Sequence, residues 1–187
     1  MRRVLMGFWI SLSFAGLLVS AAAFSTPYTI NPGDILRIDV WNESTLGGEV
    51  LVRPDGVISL PMAGEIDTVN NTTTQVAAKV AQALGKYMKD PPRVVVSLVN
   101  PKGNKIYVIG KVGKPGEYLI TSDTDVMQAL ALAGGLNSFA AENEIRVLRR
   151  KPDGNQVVLP FRYARVIKGE DLDSNIVLQS RDVVVVP

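Results

Sequence analysis

The residue types that carry most enzymatic chemistry are either missing from this sequence or explained by local structure. The 187 residues include no histidine and no cysteine. This excludes a Ser-His-Asp arrangement, a cysteine nucleophile and imidazole metal ligands. Paired carboxylates would still suffice for glycoside hydrolysis. The acidic residues that could form such a pair occupy positions that turns and helix caps favour, namely Asp34, Asp55, Asp123 and Asp153. We therefore predict a protein that is not an enzyme, with no catalytic residues, no metal site and no cofactor.

A glycine-rich segment, residues 110–116, is the other candidate for chemistry. Its backbone N–H groups could cradle a phosphate group. However, it lacks the Gly-Lys-Ser/Thr sequence of such loops, and no helix follows it directly. Three glycines and a proline in seven residues indicate a tight backbone turn instead.

Few side chains are placed to contact a polymer. The one local concentration of positive charge consists of Arg146, Arg149, Arg150 and Lys151. These residues could contact an acidic polymer or an anionic partner. The favoured alternative is a solvated hairpin edge, because Glu142 and Glu144 dilute the local field. Trp41 and Tyr118 could stack on sugars, but aromatic residues at strand ends more often belong to the core.

The amino terminus has the pattern of a secretory signal peptide. Two arginines precede an uncharged stretch, residues 4–19, and three alanines then lead to a predicted cleavage after Ala23. A retained membrane anchor is the alternative, because a spanning helix needs about 20 apolar residues. The whole chain has 20 basic and 18 acidic residues, and Arg2 and Arg3 lie in the signal. The cleaved chain is therefore formally neutral, which gives no electrostatic case for nucleic acid binding.

Residues 24–101 are predicted to form a first domain, rich in strands. Residues 35–41 alternate, with Leu36, Ile38 and Val40 on one face, as in a half-buried strand. The turn at residues 54–56 predicts a hairpin between residues 50–53 and 57–60. Residues 75–89 have the spacing of an amphipathic helix, capped by Thr72 or Thr73, with Tyr87 on its apolar face. A buried strand follows at residues 93–99.

Residues 102–187 are predicted to form a second domain. Strands are expected at residues 105–109 and 117–120, followed by a helix that Ser122 or Asp123 caps and that Gly134 and Gly135 end. Two further strands, 144–150 and 156–161, are joined by a turn, and residues 182–187 form a closing core strand. This order is α+β and resembles a β-grasp.

Five motifs in series resemble the polysaccharide biosynthesis/export family. They lie at residues 28–41, 52–64, 110–118, 129–136 and 178–187. The first two are similar to the export domain of that family, and the last three to its soluble-ligand-binding β-grasp (SLBB) domain. Ser180-Arg181-Asp182 stands where Gly-Asp is more usual. The motif positions, which we interpret as structural, are Pro32, Gly33, Asp34, Pro54, Asp55, Gly56, Gly64, Gly110, Gly113, Pro115, Gly116, Gly134, Gly135 and Asp182.

The resemblance implies a periplasmic ring of identical subunits, associated with the outer membrane, that conducts a growing polysaccharide. Longer family members add a carboxy-terminal helix that forms the outer-membrane pore, and many are lipoproteins. Because the sequence lacks cysteine and ends on a strand, we expect a non-lipidated collar. Its expected partners are the polysaccharide, further copies of itself, an inner-membrane co-polymerase or chain-length regulator, and a separate outer-membrane β-barrel. The alternatives are a soluble saccharide-binding module and, less favoured, a carboxylate-based polysaccharide-modifying enzyme.

Overall fold

The structure, a computed structural model, describes residues 27–151 and 153–187. The predicted signal peptide, residues 1–23, and its cleavage after Ala23 lie outside the described residues. The described ranges contain ten strands and three helices, which confirms the α+β class. They pack around two separate hydrophobic cores, and we call the two parts the N-terminal unit and the C-terminal unit. In these ranges no helix is both long and apolar enough to cross a membrane.

The N-terminal unit consists of a three-stranded antiparallel sheet, a separate hairpin and one helix. Its elements are β1 (Ile35–Val40), β2 (Gly48–Leu51), β3 (Val57–Leu60), β4 (Gly64–Asp67), α1 (Thr73–Leu84) and β5 (Val94–Asn100). The sheet order is β2-β1-β5, and β3 pairs with β4. Leu36, Ile38 and Val40 face the core, which confirms the predicted alternation of β1. The helix packs Val76 and Val80 against them.

The hairpin predicted around residues 54–56 is wrong. The turn itself exists, because the N–H of Gly56 donates to the carbonyl of Arg53 at 2.8 Å. The flanking strands nevertheless join different sheets, β2 with β1 and β3 with β4. Val52 explains the separation, since it is buried and continues the β1 ladder through its N–H bond to Asp34 at 2.9 Å. Pro54 has no N–H to donate, so it cannot continue this ladder.

The helix α1 begins where the sequence predicts and ends earlier. Thr72 forms a capping box with Gln75, so the first of the two predicted caps is confirmed. The helix ends at Leu84 rather than at residue 89, and Tyr87 is 67% exposed instead of packed. The following strand, β5, buries one face only. Val95 on its other face is exposed. Trp41, which follows β1, is 72% exposed, so the expectation that Trp41 belongs to the core is also wrong.

The C-terminal unit is a five-stranded sheet with helices against one face. Its elements are β6 (Lys105–Gly110), β7 (Gly116–Leu119), α2 (Val126–Leu132), β8 (Ile145–Arg150), β9 (Gln156–Phe161), α3 (Tyr163–Ile167) and β10 (Val183–Val186). The order is β7-β6-β10-β8-β9. The closing strand β10 lies in the centre, parallel to β6 and antiparallel to β8, as in a β-grasp. Its Val184 and Val186 are buried, which confirms the predicted core strand.

The local signals in this unit are mostly confirmed. Gly134 and Gly135 follow α2 with φ of 80° and 78°, a conformation that favours glycine at a helix end. The cap is different from the prediction, because Asp125 forms the capping box with Gln128. Tyr118 packs against the core as expected. The short elements β4 and α3 were not anticipated from the sequence, since neither has enough residues for a periodic pattern.

Candidate functional site

The first motif forms a turn around a fully buried carboxylate. Gly33 has a φ of 97°, which glycine tolerates, and Asp34 is 0% exposed. Its Oδ2 accepts hydrogen bonds from the Tyr28 hydroxyl at 2.7 Å and from the Asn31 N–H at 2.8 Å. Burial and the bond to Asp34 raise the pKa of Tyr28 well above its usual value, so the hydroxyl keeps its proton. The predicted turn is therefore confirmed. One carboxylate oxygen of Asp34 has both of its hydrogen-bond donors within the turn region.

The other oxygen of Asp34 joins the two units. Oδ1 accepts a hydrogen bond from the N–H of Gly103 at 2.8 Å, and Gly103 lies between β5 and β6. From the other side, the hydroxyl of Ser180 donates to the carbonyl of Gly103 at 2.9 Å. A Cβ at Gly103 would overlap the carbonyl oxygen of Pro32. We call Asp34, Gly103 and Ser180 the junction contacts, and they fasten the connecting segment to both units.

A second buried carboxylate, that of Asp182, lies directly before the central strand β10. Asp182 is 1% exposed and accepts bonds from Arg149, Nε at 3.0 Å and Nη2 at 2.6 Å, and from the Gln179 N–H at 2.8 Å. Arg149 also donates to the carbonyl of Val177 at 2.9 Å. The predicted contact set consists of Arg146, Arg149, Arg150 and Lys151, and its contact with a polymer or partner stays a prediction. Arg149 is engaged inside the unit, because its position on β8 faces the core side of the sheet, whereas the other three are exposed.

The glycine-rich loop packs against the end of α2. The N–H of Gly113 donates to the carbonyl of Gly135 at 2.9 Å, and that of Lys114 to the carbonyl of Ala133 at 2.7 Å. A Cβ at Gly113 would lie 2.8 Å from the carbonyl oxygen of Gly134. Those amide groups therefore hold the helix end and are not free to cradle a phosphate. Of the two further positions, Pro115 directly precedes β7 and Gly116 is its first residue.

The remaining motif glycines also serve turns and close packing. Gly56 has a φ of 80°, and its carbonyl accepts both the N–H and the hydroxyl of buried Thr68, at 2.9 and 2.7 Å. Beside it, Asp55 forms an exposed ion pair with Arg53 at 2.6 Å. Gly64 opens β4 with a φ of 73°. Gly110, at a φ of 97°, lies against the backbone of β10, where a Cβ would overlap it.

Two open grooves lie elsewhere on the surface. One, of about 420 Å³, runs between β4 and α1 and is lined by Glu65, Asp67, Lys79 and Lys86. The other, of about 400 Å³, lies beside α2. Neither contains a motif position. Among the described residues, no three acidic side chains cluster closely enough to hold a metal ion.

The motif positions therefore lie mostly in turns, at close backbone contacts and at two buried carboxylates, and comparison with known proteins identifies the two units. Residues 22–99 match the family model described as polysaccharide biosynthesis/export protein, and residues 105–160 match the SLBB domain. The chain belongs to the polysaccharide biosynthesis/export family. The N-terminal unit holds its export domain, and the C-terminal unit holds its SLBB domain.

Curated relatives of this family share the same region. The EPS I polysaccharide export outer membrane protein EpsA of Ralstonia nicotianae is 31% identical, over 87% of this chain and 48% of its own length. The polysialic acid transport protein KpsD of Escherichia coli is 29% identical, over 74% of this chain and 24% of its own length. The capsule polysaccharide export outer membrane protein CtrA of Neisseria meningitidis serogroup B is 28% identical, over 86% of this chain and 44% of its own length. The chain thus spans about half the length of these relatives or less.

Proposed function

We propose that the chain is a non-enzymatic component of a capsular polysaccharide or exopolysaccharide export conduit. In this proposal it works in the periplasm, next to the outer membrane. Copies of it form an oligomeric ring through which the polymer passes. The observation that carries the proposal is the succession of an export domain and an SLBB domain in this chain, together with its similarity to relatives named for polysaccharide export.

The junction contacts support a ring of this kind. A closed ring requires every copy to present the same two surfaces at the same angle. A flexible connection between two domains would spread that angle over many values. Asp34 and Ser180 hold Gly103 from both sides, so the two units of one copy can behave as a single building block. This geometry favours an assembling component over two independently moving binding modules.

The export role is tested in the producing cell. Deleting the gene should abolish polymer on the cell surface while synthesis continues, and the polymer should accumulate inside the envelope. The intact gene on a plasmid should restore export. Normal surface polymer in the deletion strain would overturn the role. Fractionation of the envelope tests the periplasmic position, and binding of an inner-membrane chain-length regulator or an outer-membrane partner is tested by crosslinking in the same cells.

The ring is tested separately on purified protein. Light scattering across a wide concentration range should show a defined oligomer, and negative-stain images should show closed rings. A strict monomer at high concentration would contradict the ring. If that monomer bound a saccharide at a ratio of one to one, the result would instead support a soluble saccharide-binding module.

A further inference from the structure

One tryptophan side chain of the N-terminal unit, that of Trp41, is almost uncovered. It is 72% exposed, although folding usually buries most of the surface of a tryptophan. The indole ring is a large apolar surface, and leaving it in water forgoes the stabilisation that burial would give. The sequence left two interpretations of Trp41, a core residue and a sugar-stacking residue, and its exposure removes the first.

The backbone that carries the exposed ring is fixed on both sides. The β1–β5 pairing reaches Val40 and Val94. The N–H of Trp41 then donates to the carbonyl of Arg93 at 2.9 Å, and the N–H of Glu43 donates to the carbonyl of Val40 at 3.1 Å. The indole is therefore carried by ordered backbone, so a ligand that binds it need not order the chain first.

Polar side chains surround Trp41 in the chain and across the sheet. Asn42 follows with a φ of 62°, a left-handed conformation that asparagine adopts more readily than most residues, and it turns the chain into Glu43. Arg93 lies opposite, and all three side chains are exposed. Among the ion pairs of the described residues, neither Glu43 nor Arg93 has a partner. Their hydrogen-bonding groups are therefore available to a ligand.

This combination of groups suits a sugar better than a protein surface. A sugar ring has an apolar face of C–H groups and a rim of hydroxyl groups. An indole can cover the face, while an amide, a carboxylate and a guanidinium each offer several hydrogen-bonding sites to the rim. The centre of a protein interface is instead depleted of charged residues. The exposed residues on the two sides of Trp41 along the chain are Asp39, Asn42 and Glu43, all of them polar.

We propose that Trp41 is a stacking platform for one sugar unit of the exported polysaccharide. Asn42, Glu43 and Arg93 bind the hydroxyl groups of that unit. The inference rests on the proposed export function and adds the residues that contact the polymer. Because Glu43 and Arg93 carry opposite charges, the site does not require a charged polymer, and stacking and hydrogen bonds to neutral hydroxyl groups depend little on salt.

The test uses purified full-length protein and oligosaccharides that mild acid releases from the polymer of the producing cell. The sequence has two tryptophans, so Trp9→Phe leaves Trp41 as the only one. The oligosaccharides should change the fluorescence of Trp41 in a saturable manner. Raising the salt from 50 mM to 500 mM should change the affinity by less than about threefold.

Calorimetry then compares variants that differ at the site. Trp41→Ala should weaken oligosaccharide binding about tenfold or more, and Trp41→Phe, which keeps an aromatic ring, should weaken it less. Phe139→Ala is the matched control, because Phe139 is 79% exposed on the C-terminal unit, and its effect should stay within about twofold. Asn42→Gly removes the amide at a position whose φ suits glycine, so it should keep or raise the Tm while weakening binding several-fold.

Each result decides the proposal. Binding that Trp41→Ala loses and Phe139→Ala keeps supports it. No binding of the oligosaccharides overturns it, as does equal binding by Trp41→Ala. Light scattering on the same samples detects the other occupant: if Trp41→Ala binds the sugar normally and no longer assembles, Trp41 belongs to a contact between copies and the inference is wrong.

The proposed function is judged by different results. Normal ring formation and normal export without sugar binding at Trp41 would leave the conduit intact and remove this inference alone. Normal surface polymer in the deletion strain would remove the export role itself.

Discussion

The carboxylate of Asp34 accepts a hydrogen bond at 2.8 Å from the backbone N–H of Gly103, which lies 69 residues further along the chain. Asp34 belongs to the turn before the first strand of the N-terminal unit, and Gly103 to the segment that leads into the C-terminal unit. One buried side chain thus ties a local turn to the connection between two domains. The following predictions test what this contact and the other buried polar contacts contribute.

Replacing Asp34 with asparagine should destabilise the protein. The carboxylate accepts three hydrogen bonds, from Tyr28, Asn31 and Gly103, and an amide would turn its NH₂ group toward one of these donors. We expect Asp34→Asn to lower the free energy of unfolding by about 2–3 kcal/mol, measured by urea denaturation. Asp39→Asn, on the exposed face of β1, which follows Asp34, should change it by less than about 0.5 kcal/mol. Equal effects of the two variants would contradict the role of Asp34.

Removing the Ser180 hydroxyl should loosen the connection between the units without unfolding either one. Ser180→Ala deletes one bond to the carbonyl of Gly103 and should cost about 1 kcal/mol. Residual dipolar couplings should then show a wider range of orientations between the two units. The matched control is Ser174→Ala, which deletes a hydroxyl bond to a carbonyl inside the C-terminal unit. An unchanged orientation in Ser180→Ala would show that Asp34 alone holds the junction.

Arg149 should matter for stability and not for surface binding. Arg149→Met leaves the buried carboxylate of Asp182 without its cation, and we expect a loss of about 3–5 kcal/mol in the free energy of unfolding. Arg150→Met, one residue further on the exposed face, should cost less than about 0.5 kcal/mol. Chemical denaturation measures both. A small effect of Arg149→Met would mean that water reaches Asp182 readily.

Tyr28 should make the stability of the fold sensitive to alkaline pH. Its pKa is raised in the folded protein, so above its ordinary value of 10.0 the unfolded chain loses a proton that the folded chain keeps. Stability from this group is therefore complete below about pH 10 and falls as the pH rises further. Tyr28→Phe should be less stable by about 1 kcal/mol at pH 8, and the difference from the unaltered protein should shrink above pH 10.

The alkaline test is read from urea denaturation between pH 8 and pH 11. Tyr87→Phe, at a tyrosine that is 67% exposed, is the matched control and is measured over the same range. A constant difference for Tyr28→Phe across the whole range would contradict the raised pKa. Lysine residues also titrate in this range, and the comparison between variants cancels their contribution.

Local patterns predicted most of the elements correctly. The alternation in β1, the capping box at Thr72 and the glycines after α2 all depend on residues within about four positions of one another. The errors arose where a distant part of the chain decided the outcome. The turn at Asp55 and Gly56 has the local form of a hairpin, yet β2 and β3 pair with other strands because Val52 continues the β1 ladder.

The residues of the candidate site also divide into those that local patterns predicted and those whose contacts depend on distant parts of the chain. The glycine and aspartate motifs identified the family and the turns, and the structure shows most of these residues in turns, at tight packing points or as buried acceptors. No spacing in the sequence indicates that Asp34 meets Gly103 or that Arg149 faces Asp182. Of the four basic residues in the predicted contact set, Arg149 pairs with buried Asp182 inside the unit.

The sequence by itself determined the α+β class, the succession of strands and helices and the membership in a polysaccharide export family. Those properties depend on periodicity, capping and turn residues, which act over a few neighbouring positions. Only the tertiary structure decided which buried carboxylate holds which partner and which aromatic side chains are exposed. The reason is physical: strand pairing joins segments far apart in the chain, and a register shift of one residue would move every side chain of a strand to the opposite face of the sheet.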